Sequence, residues 1–166
     1  MTRRPARSVE VAVEDPKWKK IPAPVRARMK RAALRALEHE KAKGFLTILL
    51  SDDARLKELN GLFRGKNKPT NVLSFPADEN PGGYLGDVAI AFGVVRHEAD
   101  ESGKRFADHL AHLAVHGTLH LLGHDHEKPK EAARMERLER EILAEFGIAD
   151  PYALNRARRK PAKRHG

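Results

Sequence analysis

The feature that most constrains how this chain folds is a histidine-rich, almost uncharged stretch over residues 109–126. No lysine, arginine, aspartate or glutamate occurs from Leu110 to His124. Histidines recur there every three or four residues, so on a helix they form one narrow stripe between apolar flanks. A helix that is apolar nearly all round is a buried one. We therefore predict a central buried histidine helix over residues 106–122.

The same stretch carries the spacing of a metal site. His116 and His120 lie one helical turn apart on one face. Gly123 can take the left-handed conformation that ends a helix, after which the chain can return His126 to the same point. Three neutral imidazoles suit zinc and leave one coordination position open. The chain has no cysteine, so thiolate ligands are excluded and a metal has to be bound by histidine or carboxylate. We predict one Zn²⁺ per chain, bound by these three histidines.

Other side chains of the stretch have supporting roles in this prediction. Each buried imidazole nitrogen needs a partner, so a stripe of histidines is harder to satisfy than a single buried one. We expect His112 to support a ligand or to face the substrate, and we leave His109 as structural. Asp125 could cap the helix end or orient a ligand imidazole, as carboxylates commonly do beside metal-bound histidines.

The spacing H-x-x-x-H-x-x-G-x-x-H is also that of the metzincin proteases, which place glutamate directly after the first histidine as the general base. Here that position is Gly117. The missing base weakens the interpretation as a metal-dependent peptidase or amidase, which stays as an alternative. A purely structural metal that fastens two elements together is the other alternative.

The rest of the chain mixes strands and helices without regular alternation, which favours an α+β fold. Period-two or short apolar segments predict strands at residues 9–13, 45–50, 72–75 and 86–92. Helical spacing, prolines and glycines predict helices from Pro22 or Pro24 to Gly44, after Ser51 or Asp52, around residues 94–99, and from Pro129 to Gly147.

The charge of the chain lies at its ends. The net charge is +9, and residues 1–8 and 156–166 together carry nine Lys and Arg and no acid. We predict a basic N-terminal extension over 1–8, one domain over 9–155, and a basic, disordered C-terminal tail over 156–166. The tails would bind a polyanion such as RNA electrostatically and independently of its sequence, or they would only increase solubility.

Residues 64–71, in the middle of the chain, predict a basic loop that contains Arg64, Lys66 and Lys68. A guanidinium is a planar fork suited to phosphate, although a solvated turn with incidental charge would look the same. No apolar run approaches the about 20 residues that span a bilayer. We therefore expect a soluble, cytoplasmic protein without a membrane partner.

Several of these motifs together resemble the bacterial YbeY family of metal-dependent endoribonucleases and ribosomal RNA maturation factors. The motifs are R-G-K-N-K-P-T-N-V-L-S-F-P (64–76), G-D-V-A-I (86–90), the histidine stretch and D-P-Y (150–152). The resemblance implies a small mixed β-sheet of about four strands packed with helices, and zinc on the three histidines predicted above. It further implies a catalytic role for Arg64. In an RNA-cleaving protein, we predict that Lys66 and Lys68 of the basic loop contact the RNA.

The implied activity is zinc-dependent cleavage of single-stranded RNA in 16S rRNA 3′-end maturation and ribosome quality control. Its partners would be rRNA and ribosomal particles, with no DNA expected. One departure is visible, because the family usually has tyrosine where this chain has His124. That imidazole could hydrogen-bond differently or compete as a ligand. A non-catalytic ribosome-assembly factor with a structural zinc is the rival interpretation.

Overall fold

The computed structural model describes residues 5–153. The strands are β1 (Arg7–Val13), β2 (Gly44–Ser51), β3 (Val72–Pro76) and β4 (Tyr84–Ala91). The helices are α1 (Ala23–His39), α2 (Asp53–Arg64), α3 (Phe92–Ser102), α4 (Phe106–Leu121) and α5 (Pro129–Ala144), with a short 3-10 helix at Pro16–Lys20.

The four strands form one mixed sheet in the order β1-β2-β4-β3. Strands β1, β2 and β4 run parallel, and β3 is antiparallel to β4. Side chains alternate between the faces of the sheet, so Val88 and Ile90 of β4 pack into the main core while Ala89 and Ala91 pack on the side of α2. This confirms the predicted α+β fold with a small mixed sheet.

Helix α4 lies at the centre of the layers. One side, with Leu110 and Leu113, packs in the main core with α1 and the sheet. Another side, with Ala111, Val115 and Leu119, packs in a second core with α1 and α5. Because partners cover it on both sides, the helix is apolar nearly all round, as predicted. The end of α4 is consequently held rigidly beside β3.

Some predicted boundaries were wrong. Helix α1 ends at His39, and Gly44 begins β2 instead of closing the helix. The glycine is needed there because its φ is +123° and a Cβ would lie 2.3 Å from the carbonyl oxygen of Gly83. Arg64, assigned to the loop from the sequence, is the last residue of α2, and Gly65 follows it in the left-handed conformation with φ +66°.

The first strand begins earlier than predicted, and the chain extends beyond the described residues at both ends. Strand β1 begins at Arg7, two residues before the predicted start at Val9. The predicted C-terminal tail, 156–166, lies outside the described residues, as do residues 1–4. Within residues 5–153, no helix combines the length and the apolar character needed to cross a membrane.

Candidate metal centre

The three histidines predicted as ligands converge at the C-terminal end of α4. One ligand atom from each of His116, His120 and His126 lies within 4.8 Å of the others. The ring centroids are 4.7 Å apart for His116 and His120, 5.5 Å for His116 and His126, and 4.9 Å for His120 and His126. Two come from adjacent helical turns and the third from the loop beyond, so the triad closes across the helix end.

The way α4 ends is what brings the third imidazole back. Gly123 has φ +98°, and the N–H of His124 donates to the carbonyl of Leu119 at 3.0 Å, which reverses the chain directly after the helix. The Oδ1 of Asp125 then accepts from the backbone N–H of His126 at 2.7 Å. Asp125 therefore fixes the backbone of the loop that carries His126.

The donor set fits a divalent metal such as Zn²⁺. Burial, together with the neighbouring His116 and His126, lowers the pKa of His120 to about 4, although Asp125 and Glu139 act in the opposite direction. A metal needs neutral imidazoles, and the lowered pKa of His120 disfavours its protonated form at neutral pH. His126 is exposed and the other two are partly buried, so one side of the triad faces solvent.

A buried carboxylate, Glu139 of α5, lies behind the triad. It is 0% exposed, and its Oε1 accepts from His112 Nε2 at 2.6 Å, His116 Nδ1 at 3.2 Å and the Tyr152 hydroxyl at 2.9 Å. Burial alone would raise the pKa of Glu139, but the hydrogen bonds from His112 and His116 outweigh it and lower the pKa to about 2. Glu139 is therefore an anionic acceptor.

The acceptor role of Glu139 determines which ring nitrogen of His112 and His116 carries the proton. If His116 donates from Nδ1, its Nε2 keeps the lone pair that a metal requires. His112 donates from Nε2 to the same oxygen, and burial lowers its pKa, so it is neutral. The atoms of His112, His116 and Glu139 also lie within 4.8 Å of one another, but their hydrogen bonds account for that closeness.

The sequence analysis missed Glu139, although a signal for it exists. The residue lies four after Met135 and three before Ile142, on the apolar stripe of α5. A carboxylate on an apolar stripe indicates a buried donor opposite it, because an unpaired buried charge is costly. Tyr152, from the D-P-Y motif, was likewise not assigned a role.

His124 turns towards a different element from the triad. Its Nε2 hydrogen-bonds Glu40, the residue that follows α1. Burial would raise the pKa of Glu40, but the hydrogen bonds from His124 and His39 lower it. Of the two possibilities that the sequence left for His124, this geometry favours a different hydrogen bond over competition as a ligand.

The triad opens into a cleft of about 1080 Å³ that the end of α2 and the loop after it also line. The structure places all three predicted cations on this cleft: Arg64, Lys66 and Lys68. Their side chains are exposed. The backbone of the loop is anchored because buried Asn60 donates from Nδ2 to the carbonyl of Lys68 at 3.0 Å. A polyanion in the cleft would meet both the triad and this basic wall.

Gly117 packs too tightly against the sheet to be replaced by a glutamate. A Cβ there would lie 2.5 Å from Val88 Cγ1, and the Gly117 carbonyl accepts from Ser74 Oγ at 2.8 Å. The position where metzincins carry their base thus packs directly against β3 and β4 and has no room for a side chain. This geometry counts further against the peptidase alternative.

Comparisons with known proteins find relatives over most of the chain. The sequence matches the family model described as Endoribonuclease YbeY over residues 12–147. It is similar to an Endoribonuclease YbeY of Rhodopseudomonas palustris, with 48% identity over 162 residues that cover 92% of this chain and 85% of that protein. An Endoribonuclease YbeY of Azorhizobium caulinodans is 52% identical over 153 residues, covering 88% of this chain and 96% of that protein.

The fold is similar to a protein of Thermotoga maritima whose structure was determined in solution. The TM-score is 0.56 at 24% sequence identity, and the match covers 83% of this chain and 91% of that one. At this identity the likeness concerns the fold alone.

Proposed function

The chain belongs to the YbeY family of endoribonucleases, and from that premise we propose that it is a metal-dependent nuclease that cleaves single-stranded RNA. The observation that carries the proposal is one cleft lined by both the histidine triad and the basic wall of Arg64, Lys66 and Lys68. Its role would be 16S rRNA 3′-end maturation and ribosome quality control, on ribosomal particles in the cytoplasm, as the family resemblance implies.

We propose Zn²⁺ as the metal and His116, His120 and His126 as its ligands. Bound there, zinc would supply Lewis acidity towards the phosphodiester. The three imidazoles support this choice because nitrogen ligands suit zinc, and a three-residue set leaves room for a substrate oxygen. Glu139 supports it by accepting from Nδ1 of His116, which leaves Nε2 free to bind.

Arg64 would hold the phosphate at the cleavage point. It is the last residue of α2, and the following Gly65 ends that helix, so the arginine projects from a rigid element. A guanidinium can make two parallel hydrogen bonds to phosphate oxygens and stays charged at any working pH. Lys66 and Lys68 would contact neighbouring phosphates. The basic ends, residues 1–6 and 156–166, would add affinity to a single domain; Arg7 and Ser8, which were predicted as part of the N-terminal extension, belong to β1.

The test combines metal analysis with an RNA cleavage assay on purified variants. We expect His120→Ala to lose the metal and the activity. Arg64→Ala should keep the metal and lose the activity. Arg55→Ala is the matched control, because Arg55 lies on α2 in an exposed pair with Glu58 and such pairs contribute little. Cleavage that survives both His120→Ala and Arg64→Ala would refute the mechanism.

A non-catalytic assembly factor with a structural zinc is the second candidate. The observation in its favour is that the triad also joins the end of α4 to the loop that carries His126. That function predicts normal rRNA processing in cells that carry Arg64→Ala. Loss of processing with intact metal content would exclude it.

A further inference from the structure

The cleft contains an exposed aromatic ring that the proposed mechanism does not use. Phe63, one residue before Arg64 on α2, lines the cleft and is 67% exposed. We propose that Phe63 is a stacking platform for the base of an unpaired nucleotide next to the cleaved bond. This inference rests on the proposed function and names a nucleobase subsite within the same cleft.

The exposure of this ring is unusual within the molecule. Among residues 5–153, the exposed large hydrophobic side chains are Leu62 and Phe63, at 70% and 67%. Only Phe63 of this pair is part of the cleft wall. Large apolar groups that stay in water at a functional cleft commonly mark a binding surface. Leu62 is thus a neighbour with the same exposure but without access to the cleft.

A second aromatic ring supports Phe63 from the sheet. The ring of Phe75 on β3 contacts it edge to face, with centroids 5.3 Å apart and an interplanar angle of 66°. Aromatic pairs favour such tilted arrangements. The ring of Phe63 is therefore held on one side by Phe75. Stacking of a base on Phe63 would consequently cost less side-chain conformational entropy.

The charge around the ring selects the occupant. Residues 63–76 contain Arg64, Lys66 and Lys68 and no acid. The acids of the cleft stand on other elements, and two of them are already bonded: Glu98 to His109, and Asp125 to the backbone of His126. Proteins commonly bind single-stranded nucleic acid with an aromatic ring surrounded by cations, because the ring stacks on a base while the cations contact phosphates. An apolar protein segment would gain nothing from the cations.

Stacking on Phe63 would also give a preference for single strands. A base inside a duplex already has neighbours on both faces, so only an unpaired base can offer a face to the ring. Replacing a stacking aromatic commonly costs about 1–3 kcal/mol per base, which corresponds to about 5- to 150-fold in affinity. The contact carries no charge, so its loss should leave the salt dependence of binding unchanged.

The experiment measures binding of a fluorescent 2′-O-methyl oligonucleotide, verified by gel to stay intact, as a single strand and as a duplex. We expect Phe63→Leu to weaken single-strand binding about tenfold, with duplex binding and the salt dependence unchanged. Phe63→Trp should retain binding, and its indole fluorescence should be quenched by the RNA. Leu62→Ala is the matched control and should bind like the wild type. Lys66→Ala should instead reduce the salt dependence by about one phosphate contact.

Two results would overturn the inference. One is Phe63→Leu binding single strands as tightly as Leu62→Ala does. The other is Phe63→Leu weakening single-strand and duplex binding equally. A folded wild type that neither binds nor cleaves RNA would instead refute the proposed function. A thermal melt of each variant separates lost stacking from lost folding, and Phe63→Trp keeps the test valid if Phe63→Leu does not fold.

Discussion

Replacing the buried Glu139 by glutamine should weaken metal binding without removing a ligand. The substitution keeps the size of the side chain and removes the charge that three donors share: His112, His116 and Tyr152. A neutral amide oxygen accepts more weakly than a carboxylate. The amide would then accept from the Nδ1–H of His116 less strongly, so this tautomer would be less populated and Nε2 would be less often free for a metal.

The expected loss can be bounded from the geometry. Changing a residue that orients a metal-bound histidine typically costs 10–100-fold in metal affinity, or about 1.4–2.8 kcal/mol. The His116–Glu139 distance is 3.2 Å, longer than a strong charge-assisted bond of about 2.7–2.9 Å. We therefore expect the lower end, about tenfold.

The assay is competition for Zn²⁺ against a chelator of known affinity, with nitrogen NMR of the histidines to read the tautomer. Glu141→Gln is the matched control, because Glu141 lies on the same helix with half of its side chain, 51%, exposed. We expect this control to bind Zn²⁺ like the wild type. Wild-type affinity in Glu139→Gln, with the His116 tautomer unchanged, would refute the orienting role.

Three further predictions test the packing, the electrostatics and the metal. Gly117→Ala should destabilise the fold by about 1–3 kcal/mol, seen as a lower melting temperature, because its Cβ would lie 2.5 Å from Val88 Cγ1. Burial would raise the pKa of Glu98, but the hydrogen bonds from His109 and Asn71 outweigh it and lower the pKa. The carboxylate of Glu98 therefore stabilises the fold at a pH above its pKa in the unfolded chain. This stabilisation is lost as the pH falls through the lower pKa of the folded state. Urea unfolding should show Glu98→Gln less stable than the wild type near pH 7, with the difference shrinking below about pH 4.5; an unchanged difference would contradict this. A chelator should lower the melting temperature of the wild type but not of His120→Ala.

Features that depend on neighbouring residues in the chain could be predicted from the sequence. The sequence predicted a helix after Ser51 or Asp52, and Asp52 is indeed the N-cap of α2, where its Oδ1 accepts from the N–H of Arg55 at 2.7 Å. The stripe on α4 and the glycine after it were enough to predict the convergence of the triad. In each case the spacing is read within one helix and its end, where the backbone geometry is fixed by local rules.

Contacts between distant elements were not predictable in the same way. Glu139 meets His116 across 23 residues, and Glu40 meets His124 across 84. Glu139 lies within α5 and Glu40 directly follows α1, and the pattern of each helix predicts only which of its faces is apolar, not which element covers that face. The histidine stripe nevertheless indicated that buried acceptors were needed beside α4. His112 and His116 bring buried donors that need acceptors, and α4 itself has no acid after Asp108. Their acceptor therefore had to come from another element, and an acid on the apolar stripe of α5 was the residue able to supply it.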